Sequence, residues 1–162
     1  MRNKPCKDAS YFMSKALMEA QKAYEHGEVP VGAVITLNDK IIAYGFNKCI
    51  CTSDPTAHAE IIAVRRAAKK LKNYRLNDCC IYVTIEPCPM CAGALINARI
   101  KKIIFGSYDA KAGACKSVFE ITNNKKLNHQ INFDGGKKEY LNKECTKIIR
   151  DFFKEKRKNR RG

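Results

Sequence analysis

The chain has 162 residues, 45% of them hydrophobic, and carries 31 Lys+Arg against 16 Asp+Glu for a formal net charge of +15. That length suits a single domain, 1–162, able to bury roughly 70% of the surface its unfolded chain would expose. No apolar run approaches the roughly 20 residues that span a bilayer, and the basic start from Met1 to Asp8 has no apolar stretch behind it to make a signal peptide. A cytoplasmic protein is therefore expected, and the odd count of nine cysteines points to reduced thiols rather than disulfides.

From about Ser10 to Glu25, Phe12, Ala16, Leu17, Ala20, Ala23 and Tyr24 recur at helical spacing, and Gly27 ends the helix. Val31 to Ile35 reads as a buried strand and Ile41 to Gly45 as a second, joined through Asn38-Asp39 into a hairpin. Residues 47–55 are rich in turn formers, and Asp54 or Thr56 is placed to cap a second helix that reaches about Leu71. Cys79 to Ile85 is a third strand, on which Cys79 and Cys80 point to opposite faces. A helix opens at Pro89, whose missing N–H is harmless there, and ends near Arg99. Lys102 to Gly106 is a fourth strand. Residues 107–130 look irregular or locally helical, and a short strand fits Gln130 to Phe133. The last helix runs from about Lys137 into a basic tail. Strand–helix–strand–helix order from 40 to 106 implies parallel pairing, whereas the first hairpin is antiparallel. The expected architecture is a three-layer α/β/α fold with a central mixed five-stranded sheet.

The positive charge is clustered. Arg65, Arg66, Lys69, Lys70, Lys72 and Arg75 run without an acid between them, and the tail from Lys154 holds six cations against Glu155 alone. A field of this sign suits a polyanion, with nucleic acid first. The plainer alternative is a solvated face.

Two short motifs carry the chemistry. His58-Ala59-Glu60 is followed, 26 residues beyond Glu60, by Glu86-Pro87-Cys88-Pro89-Met90-Cys91. Cys88 falls at the N-cap of the Pro89 helix and Cys91 three residues on, so both sulfurs point within roughly 60° of each other and can reach one ion. The helix N-terminus also favours their ionisation. Glu60 lies about 200° around a helix from His58, which argues against both binding the ion. The division that fits is His58, Cys88 and Cys91 on a zinc, with Glu60 free to move protons at the open fourth position. A purely structural zinc would need a fourth ligand, for which His129, Cys49, Cys51, Cys79 and Cys80 are available.

The H-x-E and P-C-x-x-C pair is the known signature of zinc-dependent nucleobase deaminases. The chain resembles the bacterial tRNA-specific adenosine deaminases of the cytidine-deaminase-like superfamily. The likeness runs through Glu28 to Val34, Gly45-Phe46-Asn47, Asp54 to Glu60, Asn73 to Leu76, Thr84 to Ala94, Phe105 to Ala114, Leu127-Asn128-His129 and Asp151-Phe152-Phe153. The resemblance implies a zinc ion per subunit on His58, Cys88 and Cys91, with Glu60 as proton shuttle. It implies conversion of adenosine to inosine at the wobble position of a tRNA anticodon, usually of an arginine tRNA. It assigns Asn47 to the flipped-out nucleoside, Asp109 and Lys111 to neighbouring anticodon nucleotides, and Phe153 with the basic residues after it to the RNA loop. It also implies a homodimer whose partner subunit completes the RNA groove.

On sequence alone Asn47 could simply end a strand, Asp109 and Lys111 could be a loop ion pair, and Phe153 could be core. His129 is expected to orient a loop. Cys115-Lys116 departs from the family, which usually has a small residue and glycine there. Guanine or cytosine deaminases share both motifs, and an RNA-binding protein with a structural zinc is the alternative of another class. The intact Glu60 and the basic charge favour the tRNA reading over both.

Overall fold

In a computed structural model describing residues 8–161, the chain forms α1 (Ala9–Glu25), β1 (Gly32–Leu37), β2 (Lys40–Phe46), α2 (Ala59–Leu71), β3 (Cys80–Ile85), α3 (Pro89–Asn97), β4 (Lys102–Ser107), β5 (Asn132–Gly135) and α4 (Asn142–Arg161). A single 3₁₀ turn, Lys138–Tyr140, precedes α4. The reading of the basic N-terminal segment, with Cys6, lies outside the described residues. No helix among the described residues is long and apolar enough to cross a membrane.

The sheet order is β2-β1-β3-β4-β5. β1 pairs antiparallel with both β2 and β3, while β3–β4 and β4–β5 are parallel. The mixed five-stranded sheet is as expected, with one correction. β2 and β3 point the same way, but they do not pair, because β1 lies between them. The hairpin turn explains how β1 folds back: Asn38 and Asp39 both have positive φ, the type I′ geometry that matches strand twist.

Helices cover both faces. α2 and α3 pack with the main core, which includes Ile35, Ile81, Leu95 and Phe105. α1, the 3₁₀ turn and the start of α4 cover the other face around Met13, Ile104 and Cys145. Cys79 is buried in the first cluster and Cys80 packs against the second, as strand alternation requires. Cys49, Cys51, Cys79, Cys88, Cys91, Cys115 and Cys145 are free thiols.

Three boundaries differ from expectation. His58, not Asp54 or Thr56, is the N-cap residue of α2, and its side chain makes no capping hydrogen bond. The α2 terminus is satisfied instead from a distance, by Asn47 Oδ1 accepting from the Ala59 amide at 2.8 Å. Asp54 and Thr56 bond to each other in the preceding turn. α4 starts at Asn142 rather than near Lys137, since Leu141 sits at φ 52° and interrupts the helix. β5 lies two residues later than Gln130–Phe133, at Asn132–Gly135.

Glycines set how closely the helices approach the sheet. A Cβ on Gly32 would run into the Ala16 carbonyl and Ala20 amide of α1. A Cβ on Gly45 would run into the Ala59 carbonyl and Ala63 amide of α2. Backbone cannot yield as a flexible side chain can. Gly45→Ala is therefore expected to destabilise the fold by about 1–3 kcal/mol, read as a lowered urea midpoint with an unchanged m-value.

Candidate active site

The connections from β2 to α2 and from β3 to α3 both leave the sheet at the C-terminal ends of their strands. His58 and Cys88 are the N-cap residues of the two helices. This end holds a cleft of about 590 Å³, with Asn47, His58, Glu60, Cys88, Asp109 and Phe153 among its lining residues. It is the end at which open α/β sheets bind ligands.

His58, Cys88 and Cys91 converge. His58 Nδ1 lies 3.6 Å from Cys88 Sγ and 3.5 Å from Cys91 Sγ. The three ligand atoms lie within 4.8 Å of one another and could hold a metal ion, and no fourth His, Cys, Asp or Glu joins the group among the described residues. None of the donors considered for a structural fourth ligand joins the group. His129 Nε2 bonds the Ile100 carbonyl at 2.8 Å, holding a loop as expected. Cys79 is buried in the core.

Glu60 is 2% exposed, and its Oε2 accepts from the Cys91 thiol at 3.2 Å. Burial pushes its carboxyl above the ordinary range. Contact with Cys91, seconded by His58, pulls the Cys88 thiol down to about 4 against the cost of burial. The same Cys88 interaction, together with burial, pushes Cys91 up. The hydrogen bond to Cys88 raises His58.

The remaining expected site residues all line the cleft, each held differently from the simplest reading. Asn47 is 8% exposed and caps α2 through its oxygen, so the amide NH₂ is its remaining polar group. Asp109 and Lys111 form no ion pair. Asp109 Oδ1 accepts instead from the Lys111 and Ala112 amides, shaping the loop. Phe153 is 43% exposed and so is not core. Its neighbour Phe152 is the buried one, packed on Tyr24 with ring centroids 5.7 Å apart.

Two buried carboxylates that line the cleft, Glu28 and Glu86, had no role assigned from sequence. Glu28 accepts from the Ile50 and Cys51 amides at 3.1 and 2.8 Å and so pins the loop after β2. Glu86 pins the loop after β4. It accepts from the Asp109, Cys115, Lys116 and Ser117 amides at 2.8–3.2 Å and from the Ser117 hydroxyl. Burial raises the Glu86 carboxyl, but the bonds from Ser117, Asp109 and Lys116 outweigh it and hold it below the usual range. The available signal was an acid at the end of an apolar strand, directly before Pro87. The unusual Cys115-Lys116 pair is absorbed here, since its two amides reach Glu86 and the Cys115 side chain is buried in the core.

Removing the anchor should therefore loosen one wall of the cleft selectively. Glu86→Ala is expected to accelerate amide hydrogen exchange at Asp109, Cys115, Lys116 and Ser117 while exchange in β1 and α1 stays slow. Because it strands the buried Cys115 amide and three part-buried ones, it should also destabilise the protein by about 2 kcal/mol.

Comparison with known proteins shows the family. Residues 7–157 match the MafB19-like deaminase family. The tRNA-specific adenosine deaminase of Haemophilus influenzae is 45% identical over 150 residues, covering 92% of this chain and 85% of that protein. That of Buchnera aphidicola (subsp. Schizaphis graminum) is 47% identical over 151 residues, covering 91% and 95%. A solved structure from work on A-to-I editing by tRNA:A34 deaminases superposes with a TM-score of 0.81 at 38% identity, covering 86% of this chain and 99% of its own. Guanine deaminase from Bacillus subtilis superposes with a TM-score of 0.59 at 34% identity, covering 83% and 85%. The chain belongs to the MafB19-like deaminase family and, within it, to the tRNA-specific adenosine deaminases.

Proposed function

We propose that this enzyme hydrolyses adenosine to inosine at the wobble position of a tRNA anticodon, that of an arginine tRNA, and releases ammonia. The observation that carries the reading is the meeting of His58, Cys88 and Cys91 beside buried Glu60, at the floor of a cleft that α4 flanks with Arg150 and Phe153. The exposed tail of α4 then continues through Lys154, Lys156, Arg157, Lys158, Arg160 and Arg161.

The metal is proposed to be Zn²⁺. Its bonds of about 2.0–2.1 Å to nitrogen and 2.3 Å to sulfur put tetrahedral ligands about 3.5 Å apart, and the Nδ1···Sγ distances here are 3.5 and 3.6 Å. One imidazole and two thiols also suit zinc chemically. Three protein ligands leave one position for substrate chemistry. When bound, zinc supplies a nucleophilic water near neutral pH. The residues of the chain do the rest. Glu60 accepts a proton from the attacking water and delivers protons to the purine ring nitrogen and the departing amine, for which its raised affinity for a proton suits it. Asn47, oriented by Ala59, presents its NH₂ to acceptors on the flipped nucleoside. Asp109, Lys111 and Phe153 meet the flanking anticodon nucleotides. By resemblance the enzyme is a cytoplasmic homodimer of a single catalytic domain, and the partner subunit completes the RNA groove.

The guanine deaminase likeness supports a second reading, action on a free base. The deciding assay supplies purified protein with arginine tRNA and, separately, guanine, cytosine and free adenosine. Inosine at the wobble position is expected; ammonia from guanine with none from tRNA would overturn the proposal. Glu60→Ala should retain metal by elemental analysis while turnover falls about 10²–10⁴-fold. Cys88→Ala should lose the metal. Truncation after Phe153 should weaken tRNA binding and flatten its dependence on salt concentration. An unchanged slope would return the tail to an ordinary solvated surface.

A further inference from the structure

We propose that the exposed cationic face of α2 is a second RNA-contact surface, one that takes the sugar–phosphate backbone of the tRNA body beyond the anticodon loop. This rests on the tRNA reading above and extends it to a part of the molecule distant from the reacting base. α2 starts at His58 in the cleft and runs 13 residues, about 20 Å, away from it. It lies on the face of the sheet opposite α1 and α4, so its cations are a surface separate from the C-terminal tail.

Arg65, Arg66, Lys69, Lys70 and Lys72 are all exposed. Arg65 and Lys69 share one ridge of the helix and Arg66 and Lys70 the next, so like charges are neighbours at four-residue spacing. The one acid of α2 is Glu60, which is buried. None of these cations is in an ion pair among the described residues, where the paired ones are Lys22, Lys137 and Lys147. Asp54 feels the charge of Arg65 but spends its carboxylate on Thr56. Lys69 and Lys70 complement the C-terminal end of the helix. Arg65 and Arg66, in its middle, have no such role. An unneutralised row of this kind is what a phosphate backbone requires.

Aromatic groups flank the row. Arg66 donates to the Tyr44 carbonyl at 2.9 Å, which ties it to edge strand β2, where the Tyr44 ring is 41% exposed. Beyond the end of α2, Tyr74 is 71% exposed with the Arg75 guanidinium 5.6 Å from its ring centroid. Cations interleaved with exposed rings suit RNA better than a protein or membrane surface.

The test compares a full-length substrate tRNA with its isolated anticodon stem-loop, by fluorescence anisotropy across a salt series. For Arg65→Ala/Lys69→Ala/Lys70→Ala, the Kd for full-length tRNA should rise on the order of tenfold and the log–log salt slope should fall by about 2–3. Binding and deamination of the stem-loop should stay at the wild-type level. The charge-preserving Arg65→Lys/Lys69→Arg protein should bind both RNAs as the wild type does. Unchanged affinity and slope for full-length tRNA would overturn the proposal, as would an equal loss on both RNAs. If the wild type binds tRNA but deaminates none, the deaminase reading falls while the comparison of variants still decides this surface.

Discussion

The cleft depends on the distance between two helices. β1 lies between β2 and β3, so the chain leaves the sheet for α2 and for α3 two strands apart. Two strand spacings come to about 9.5 Å, which is within the 8–10 Å at which helices pack side by side. α2 and α3 therefore touch along one face, and their first turns meet at one end. Had β2 and β3 been neighbours, the two helices would have been crowded to half that distance. Gly45 completes the arrangement by letting α2 lie directly on the sheet. His58 and Cys88, one at the start of each helix, then need only point inward to meet.

That convergence also explains the electrostatics. Two helix N-termini aim at one small volume and stabilise negative charge there. The same convergence brings Cys91 and His58 against Cys88, and these neighbours pull its thiol down to about 4. Glu60, in the first turn of α2 and nearly sealed from water, moves the other way, its carboxyl raised by burial. One end of the sheet thus brings a group that could hold a metal ion beside a buried carboxyl, with Cys91 Sγ 3.2 Å from Glu60 Oε2.

Much of this was legible in the sequence because it is local. Element types followed from periodicity and turn chemistry, and the Cys88–Cys91 spacing on a helix opened by Pro89 fixed two donors. What sequence could not supply was long-range. Chain order gives strand direction but not neighbours, so the insertion of β1 was invisible. The cap of α2 comes from Asn47, well outside the window in which a capping residue is sought, and the plausible local candidates, Asp54 and Thr56, satisfy each other. The start of α4 was misjudged because Leu141 takes up a left-handed conformation that side chains of its kind seldom adopt. Asp109 and Lys111 line the cleft, but Asp109 bonds to backbone amides and not to the lysine side chain, a pairing that sequence spacing does not reveal.

The loop after β4 is held by its main chain. Glu86 grips four amide groups and a hydroxyl, and Asp109 closes the turn on two more amides. Amides are common to every residue but proline, so the path of this wall is insensitive to most of the side chains it carries. Tyr108, Ala110 and Lys111 point their chemistry into the cleft without being asked to hold it open. Selection can exchange them and leave the outline of the cavity intact. The shape of the cavity is thereby uncoupled from the side chains that a bound molecule would meet.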